Sequence, residues 1–593
     1  MKKSILILAA ILFGTTSCLD ILDKQPLDMI SDEVVWKDPV LMDKYLLECY
    51  AEMGFFNEMQ LGGNQDDVGG NTPFTMTGIS DEAHAAWVPT PKTHWISPSS
   101  EVASWWGYPV VRKLNIFLDK MENSPIEESV RIQRTAEARF LRAFCYFQMV
   151  KRYGGVPLIT TELGLEDSDE LLYPFREKEE TIYQFVLDEL NSIIDNKHLP
   201  ESYGGGDLGR PTIWAAAALK SRAAMYAGSI ASWGKVQLDG VVGISPARKA
   251  YFWQQSLDAS NFILEKGPFE LYYKYFHEDI VKNYRQIFLD ENNSEVIFSE
   301  VFDGKAGKGH SYDHWMNPPG YNAWNEGQAY VVYLEFVESY QNLQGEADPI
   351  DRQKIANHHQ WTMEELFGNK DPRFHASIYT HGTKWSHNGA EVVLDYHQGV
   401  YWQGQWYESG VAPNGMPAQG LSQTKWRPSS FGILKYLDED NAMVPERFYS
   451  QTDWIVFRLG EIYLNKAEAA LELGDEPSAR VALNEIRKRA GMPEFTRAIT
   501  HEDIRQERKI ELAFEGNRYW DLRRWRIAED ALTNAWSGLR YKMDGASGKL
   551  YLEILPDIAG MPVPFFNEMH YYLPIAQWRI GQNPNLIQNP LYR

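Results

Sequence analysis

Cysteine is almost missing from this chain: Cys18, Cys49 and Cys145 are the three in 593 residues. That count excludes a disulfide framework and a cysteine-ligated zinc centre. Cys49 and Cys145 fall in apolar helical patterns and read as two buried thiols rather than a bridge. Long hydrophobic runs are missing too. After the amino-terminal stretch nothing approaches the roughly 20 apolar residues that a membrane-spanning helix needs. Basic charge is in deficit, with 58 Lys and Arg against 81 Asp and Glu and a net charge of −23. A nucleic-acid partner needs a basic face and is excluded. Motifs for chemistry are equally scarce: there is no Gly-x-Ser-x-Gly elbow, no phosphate loop, no His-Glu-x-x-His and no EF-hand loop.

What is present begins with the leader MKKSILILAAILFGTTSC. Lys2 and Lys3 form a basic start, residues 4–14 are almost wholly apolar, and Thr15, Thr16 and Ser17 lead into Cys18. A secretory signal that stops at a cysteine points to a bacterial lipoprotein, cleaved before Cys18 and acylated on it. The protein is then tethered to a membrane rather than embedded in one. Residues 1–17 are the expected signal peptide and 18–30 a tether carrying the body away from the anchor.

Several segments repeat apolar residues at helical spacing. In 134–150 the stripe is Ala136, Phe140, Ala143, Phe144 and Phe147, and Gly154, Gly155 and Pro157 stop it. Residues 179–195, 212–228 and 251–265 are further helices, the second with an Ala-rich face suited to close contact. Residues 454–491 read as helix, tight turn at Gly474-Asp475, helix. Ala467 and Ala479 flank that turn as in a tetratricopeptide unit. No clean repeat runs through the chain, so the expected scaffold is a set of degenerate helix pairs, mainly 31–55, 105–300 and 450–530. Residues 56–104 and 300–430 differ in texture, being rich in Gly, Pro, Asn, Trp and His. They predict one irregular lobe built from two sequence-distant regions. Aromatics are the strongest bias, with 20 Trp, 32 Tyr and 27 Phe. Exposed aromatic rings stack on the apolar faces of sugars.

Five blocks resemble the SusD/RagB outer-membrane nutrient-binding lipoproteins of Bacteroidetes. They are WGYPVVRKLNIF from Trp106 to Phe117, EARFLRAFCYFQMVKRYGGVP from Glu137 to Pro157, Arg458 to Gly474, ERKIELAFEGNRYWDLRRW from Glu507 to Trp525, and Leu573-Pro574-Ile575 through Asn583-Pro584-Asn585-Leu586 to Gln588-Asn589-Pro590. They stand in the family's order behind a lipoprotein signal. The resemblance implies an all-α dominated, tetratricopeptide-like helical scaffold with a loop-rich ligand lobe, spanning 31–593 as one domain. It implies a lipid-anchored, surface-exposed outer-membrane protein without catalytic machinery that caps a SusC-like TonB-dependent transporter. The usual ligand is an oligosaccharide or polysaccharide, and in one branch a peptide.

In that family an early and a mid-chain loop supply an aromatic arc. Here the corresponding candidates are Trp87 and Trp95, with Trp315, Tyr321 and Trp324 in HWMNPPGYNAW. Pro318, Pro319 and Gly320 forbid regular helix there and suit exposed display. Asn64, Gln65, Asp66 and Asp67 offer hydrogen-bonding partners, the carboxylates accepting from sugar hydroxyls. Trp402 and Trp406 form a second aromatic cluster. No cofactor is expected, although the loop carboxylates are of the type that could hold a structural calcium. A hydrolase would need two carboxylates held about 5–10 Å apart. Asp66, Asp67 and Asp371 are candidates by loop position alone, so an α-helical polysaccharide-degrading enzyme stands second to the peptide-binding alternative. His358, His359, His375, His381 and His387 cluster loosely without metal-site spacing. The charged block 507–525 reads as salt bridges locking helices, with Arg508–Glu511 and Glu515–Arg518 spaced to pair across a turn.

Overall fold

Helical periodicity resolves into a stacked series in the computed structural model. The structure describes residues 32–53, 55, 76–86, 96–99, 102–304, 309–321, 327–387, 389–421, 429–439, 447–556, 558 and 563–592. The leader, Cys18 and the whole tether region 18–30 lie outside them. The series comprises α1 (Pro39–Met53), α2 (Tyr108–Glu122), α3 (Glu128–Tyr153), α4 (Glu179–Asp195), α5 (Ile213–Trp233), α6 (Lys249–Lys266), α7 (Leu459–Glu472), α8 (Glu476–Arg489), α9 (His501–Glu511) and α10 (Arg518–Arg524). From α2 to α9 each helix packs on the next, so the order in space follows the order in sequence. This is the helix-on-helix logic of a tetratricopeptide array, in which each element buries its apolar face on its neighbours.

Local chemistry sets the helix ends. The Thr212 hydroxyl accepts from the Ala215 amide to open α5, and the Asp475 carboxylate accepts from Ser478 to open α8. Gly474 takes φ +87° between α7 and α8, a conformation that favours glycine. The Ala-rich face of α5 brings α6 close enough for the Ser221 and Ser260 hydroxyls to meet at 2.9 Å. Gly228 lies directly beneath the Trp253 indole. Cys49 and Cys145 are both free and buried.

Between α6 and α7 the chain leaves the stack and returns to it. A short strand, β1 (Ala83–Ala85), follows α1. The excursion begins at β2 (Val296–Glu300) and ends at β10 (Trp454–Arg458), which pair antiparallel with Trp454 opposite Glu300 and Arg458 opposite Val296. Inside it lie β3 (Tyr330–Val332), β4 (Ile378–Tyr379), β5 (Lys384–His387), β6 (Ala390–Val393), β7 (His397–Trp402), β8 (Gln405–Tyr407) and β9 (Gly432–Ile433). Strand β1 pairs antiparallel with β3, Ala83 opposite Val332. The two sequence-distant regions are thereby joined. Much of what reads as loop is therefore short strand. A carboxy-terminal hairpin, β11 (Gly538–Asp544) and β12 (Leu550–Leu555), completes a four-stranded sheet in the order β12-β11-β7-β8. The sequence offers no hint that a segment so late in the chain belongs to the lobe.

The charged block forms a buried ion network, with partners other than those the helical spacing suggests. Glu511 is fully buried and accepts from Arg458 at 2.7 Å, from Arg373 at 3.0 Å and from Arg489. Glu515 accepts from Arg458 and Lys435, both at 2.8 Å. Arg508 turns to Asp521 at 2.7 Å, and Arg518 clasps Asp81 at 2.7 and 2.8 Å. Apart from the Arg524–Asp521 pair at 2.8 Å within α10, the block locks elements far apart in sequence. The matched blocks at 137–157 and 573–590 also meet. Asn589 donates to the carbonyls of Tyr153 (3.0 Å) and Leu573 (2.7 Å), which ties the carboxy terminus to the end of α3.

Candidate functional site

The candidate site is built on the segment His310–Tyr321, which lies against residues 450–452 leading into β10. His310 and Ser450 exchange backbone hydrogen bonds. Burial lowers the His310 imidazole to about 4, so the ring is neutral. Its Nε2 donates to the Thr452 carbonyl at 2.9 Å and its Nδ1 accepts from the Tyr312 amide at 3.1 Å. A short helix, Tyr312–Met316, follows. The chain then turns, with the Tyr321 amide donating to the Pro318 carbonyl at 3.2 Å and Gly320 at φ +86°. Pro319 then Gly320 at the two central positions is the chemistry of a type II turn. The prolines end the helix as expected and deliver Tyr321 to the surface.

Tyr321 is half-buried. Its ring meets His387 edge-on at 5.0 Å and lies 6.4 Å from Trp385. Trp385, on β5, is 2% exposed and forms a rigid base. The Tyr379 hydroxyl donates to the Met316 carbonyl at 2.8 Å and fixes the preceding helix. Burial raises the Tyr321 phenol, which stays protonated and able to donate as well as accept.

Trp315 requires a correction. It is 2% exposed and among the largest fully buried side chains. It points into the core of the lobe, so it supports the site and has no face to offer a ligand. The helical stretch before the prolines turns it inward, which the expectation of an exposed loop missed. Trp87, Trp95, Trp324, Asp66 and Asp67 lie outside the described residues, as do Asn64 and Gln65. Trp402 and Trp406 do not form one cluster. Trp402 pairs with Gln405 across the hairpin while Trp406 pairs with Tyr401, so the two indoles sit on opposite faces of the sheet. Asp371 is 1% exposed and grips Arg373, which removes it as a loop carboxylate. The histidines are dispersed onto separate partners: His359 on Glu365, His375 on the Phe367 carbonyl, His381 on the Tyr396 amide. Among the described residues no group of three or more His, Cys, Asp or Glu could hold a metal ion.

Sequence reasoning overlooked Asp81 and Glu82, which anchor the early region. Asp81 pairs with Arg518, and Glu82 accepts from the Phe514 amide at 2.8 Å. Burial lifts Glu82 to about 7. An acidic pair inside the run GISDEAHAA was the available signal, since charge between small apolar residues calls for buried partners.

A concavity of about 590 Å³ opens elsewhere, between residues 279–286 and the lobe segments 363–384 and 434–439. Phe367, Phe374 and Leu434 form its floor, and Lys282, Arg285, Glu364 and Glu439 stand around it. Arg285 and Glu439 pair at 2.8 Å.

Comparison with known proteins places this geometry. The model described as SusD family matches residues 294–592, and the model described as "Starch-binding associating with outer membrane" matches residues 21–225. The SusD-like protein P25 of Formosa agariphila is 26% identical over 72% of this chain and 70% of its own length. The starch-binding protein SusD of Bacteroides thetaiotaomicron is 23% identical over 99% of this chain and 98% of its own. The crystal structure of a SusD-like protein from Bacteroides fragilis superposes with a TM-score of 0.71 at 26% identity, covering 96% of this chain and all of that one.

Proposed function

The chain belongs to the SusD family, and we propose that it is a non-enzymatic glycan-binding lipoprotein of the outer membrane. Anchored through Cys18 and facing outward, it captures an oligosaccharide and delivers it to a TonB-dependent transporter, over which it closes as a lid. The observation that carries this reading is the end-to-end match to a starch-binding protein, together with an amino-terminal match to a model described as starch-binding and outer-membrane associated. The geometry agrees with it. Tyr321 offers an aromatic face beside the buried Trp385, and a preorganised ring loses less entropy on binding. Trp87, Trp95 and Trp324 would extend the stacking surface, and Asp66 and Asp67 would accept from sugar hydroxyls. The reading requires no cofactor.

A peptide-binding role is the second reading, and the 590 Å³ cleft favours it. An apolar floor ringed by both signs of charge suits side chains and termini better than pyranose faces.

The test is an affinity-gel and calorimetric screen of the protein lacking residues 1–18 against neutral and acidic polysaccharides and a peptide mixture. A Tyr321→Ala/Trp324→Ala variant is run beside it. One glycan should bind, and the variant should lose about tenfold or more, since stacking of aromatic pairs is worth about 0.5–1.5 kcal/mol per ring. Binding of peptides with no glycan bound would replace the first reading with the second.

A further inference from the structure

We propose a second carbohydrate contact on the outer face of the lobe sheet, centred on Trp406 and taking a neutral polysaccharide chain. It takes its ligand class from the glycan reading but shares no residue with the site at Tyr321. Strand register defines the face. Lys542 lies opposite Tyr551, and Arg540 opposite Glu553, across β11 and β12. Tyr401 lies opposite Trp406 across β7 and β8. Three rings therefore converge on one side: Tyr401 and Trp406 at 5.1 Å, Trp406 and Tyr551 at 5.5 Å, Tyr401 and Tyr551 at 6.0 Å.

Cross-strand packing explains part of this arrangement. Paired aromatics stabilise a two-residue hairpin, here turned by Gln403 and Gly404, both at positive φ. Packing alone does not require the rest. Trp406 remains 38% exposed on the edge strand, where large apolar residues are a liability. Position 399, next to it in the sheet, is a glycine at φ +127°, and an added Cβ there would lie 3.8 Å from the Trp406 ring and 3.6 Å from the Lys542 stem. The missing side chain leaves a recess beside the indole. Polar groups frame the rings. Gln360 donates to the Tyr551 hydroxyl at 2.7 Å, which leaves that hydroxyl its own proton to give.

Charge complementarity selects the occupant. Lys542 stands 3.3 Å from Glu553 and 3.6 Å from Glu408, and Arg540 stands 3.2 Å from Glu553. Two cations face two anions, so these four groups add no net charge around the rings to attract an acidic or basic partner. The rings meet tilted or edge-on and the Lys542 ammonium lies 5.4 Å from the Trp406 ring, so the exposed part of the indole is the stacking surface, with hydrogen-bond donors and acceptors beside it, the complement of an uncharged pyranose. A polymer could touch this face and the site at Tyr321 together, in which case the second contact acts through effective concentration rather than high intrinsic affinity.

The test compares the full mature chain with Trp406→Ala and Trp406→Phe in native gels containing amylopectin, laminarin, xyloglucan or galactomannan. Hydrogen exchange of residues 397–407 is followed on adding the retarding polymer to the unmutated protein. Trp406→Ala should weaken retardation about three- to tenfold, the equivalent of one lost aromatic contact. Trp406→Phe should keep most of it, and 397–407 should gain protection. Unchanged retardation with unchanged exchange overturns this contact and leaves the Tyr321 reading standing. Retardation lost by the Tyr321→Ala/Trp324→Ala variant, run beside these, but kept in full by Trp406→Ala does the same. If no polymer retards the unmutated protein, this contact falls, and the Tyr321 reading is decided by the wider screen that includes acidic polysaccharides. If the alanine variant fails to fold, the exchange experiment decides alone.

Discussion

Glu511→Gln is the most incisive perturbation of the scaffold. The carboxylate is fully buried among Arg373, Arg458 and Arg489. The neighbouring guanidiniums, Arg489 foremost, outweigh its burial and hold it well below the usual carboxylate range. The amide keeps the shape and removes the charge, leaving three buried cations short of one anion. Breaking such a cluster from one side costs about 3–5 kcal/mol. For 593 residues, an unfolding entropy of about 2.1 cal/mol/K per residue gives roughly 1.2 kcal/mol/K, so the melting temperature should fall by about 2–4 °C. The control is Glu391→Gln, which breaks the exposed Lys384–Glu391 pair and should cost less than about 1 kcal/mol. The pH dependence supplies the sign. A carboxylate depressed in the folded state contributes stability above its unfolded pKa of about 4.3 and loses it as pH falls. The gap between wild type and variant should therefore be full at pH 7 and narrow below pH 4.3. Scanning calorimetry at both pH values measures it. Equal melting points at pH 7, or a gap that persists undiminished at pH 3.5, would refute the reasoning.

Two further outcomes follow from the packing. Glu179 is fully buried, accepts from the Gly243 amide and the Tyr572 hydroxyl, and is raised by burial to about 7. Its stability contribution is present below the unfolded pKa and lost as pH rises toward 7, so Glu179→Gln should be near neutral at pH 4 and stabilising at pH 8 by thermal melts. Gly155→Ala would place a Cβ 1.8 Å from the Glu177 carbonyl oxygen. Backbone cannot yield as a side chain can, so the variant should lose about 3 kcal/mol or more, read as a lower denaturant midpoint.

The scaffold was legible because helical patterning is local. The stripe from Ala136 to Phe147, the alanine face of α5 and the turn at Gly474 each declare themselves within a short window. The ion network was legible as a kind but not as a set of partners. Helical spacing can show that Glu511 and Arg508 share a helix, yet their choice of Arg458 and Asp521 is tertiary. The lobe was legible as a joining of two regions, which β1 and β3 realise. Its strands were not, because segments of three or four residues carry too little alternation, and the carboxy-terminal hairpin lies more than a hundred residues from its parallel partner β7. At the site, Pro318-Pro319-Gly320 announced the turn that presents Tyr321. Trp315 misled because one turn of helix decides whether an indole faces out or in.

These observations bear on why an expensive charged core persists where apolar packing of equal volume would be as stable or more so. Apolar contacts are non-directional, whereas each bond to Glu511 fixes an angle. The groups that converge on Glu511 and Glu515 come from different bodies: Arg489 from α8, Arg458 from the strand where the lobe returns, Arg373 and Lys435 from the lobe itself. The cluster is thus the hinge point at which the insertion is registered on the helix stack. A shift of the lobe by a few tenths of an ångström would break several charge-assisted bonds together. Such a joint holds the lobe that carries Tyr321 in register with the scaffold, and the ring-stacking site proposed there would gain from not having to be assembled at each encounter.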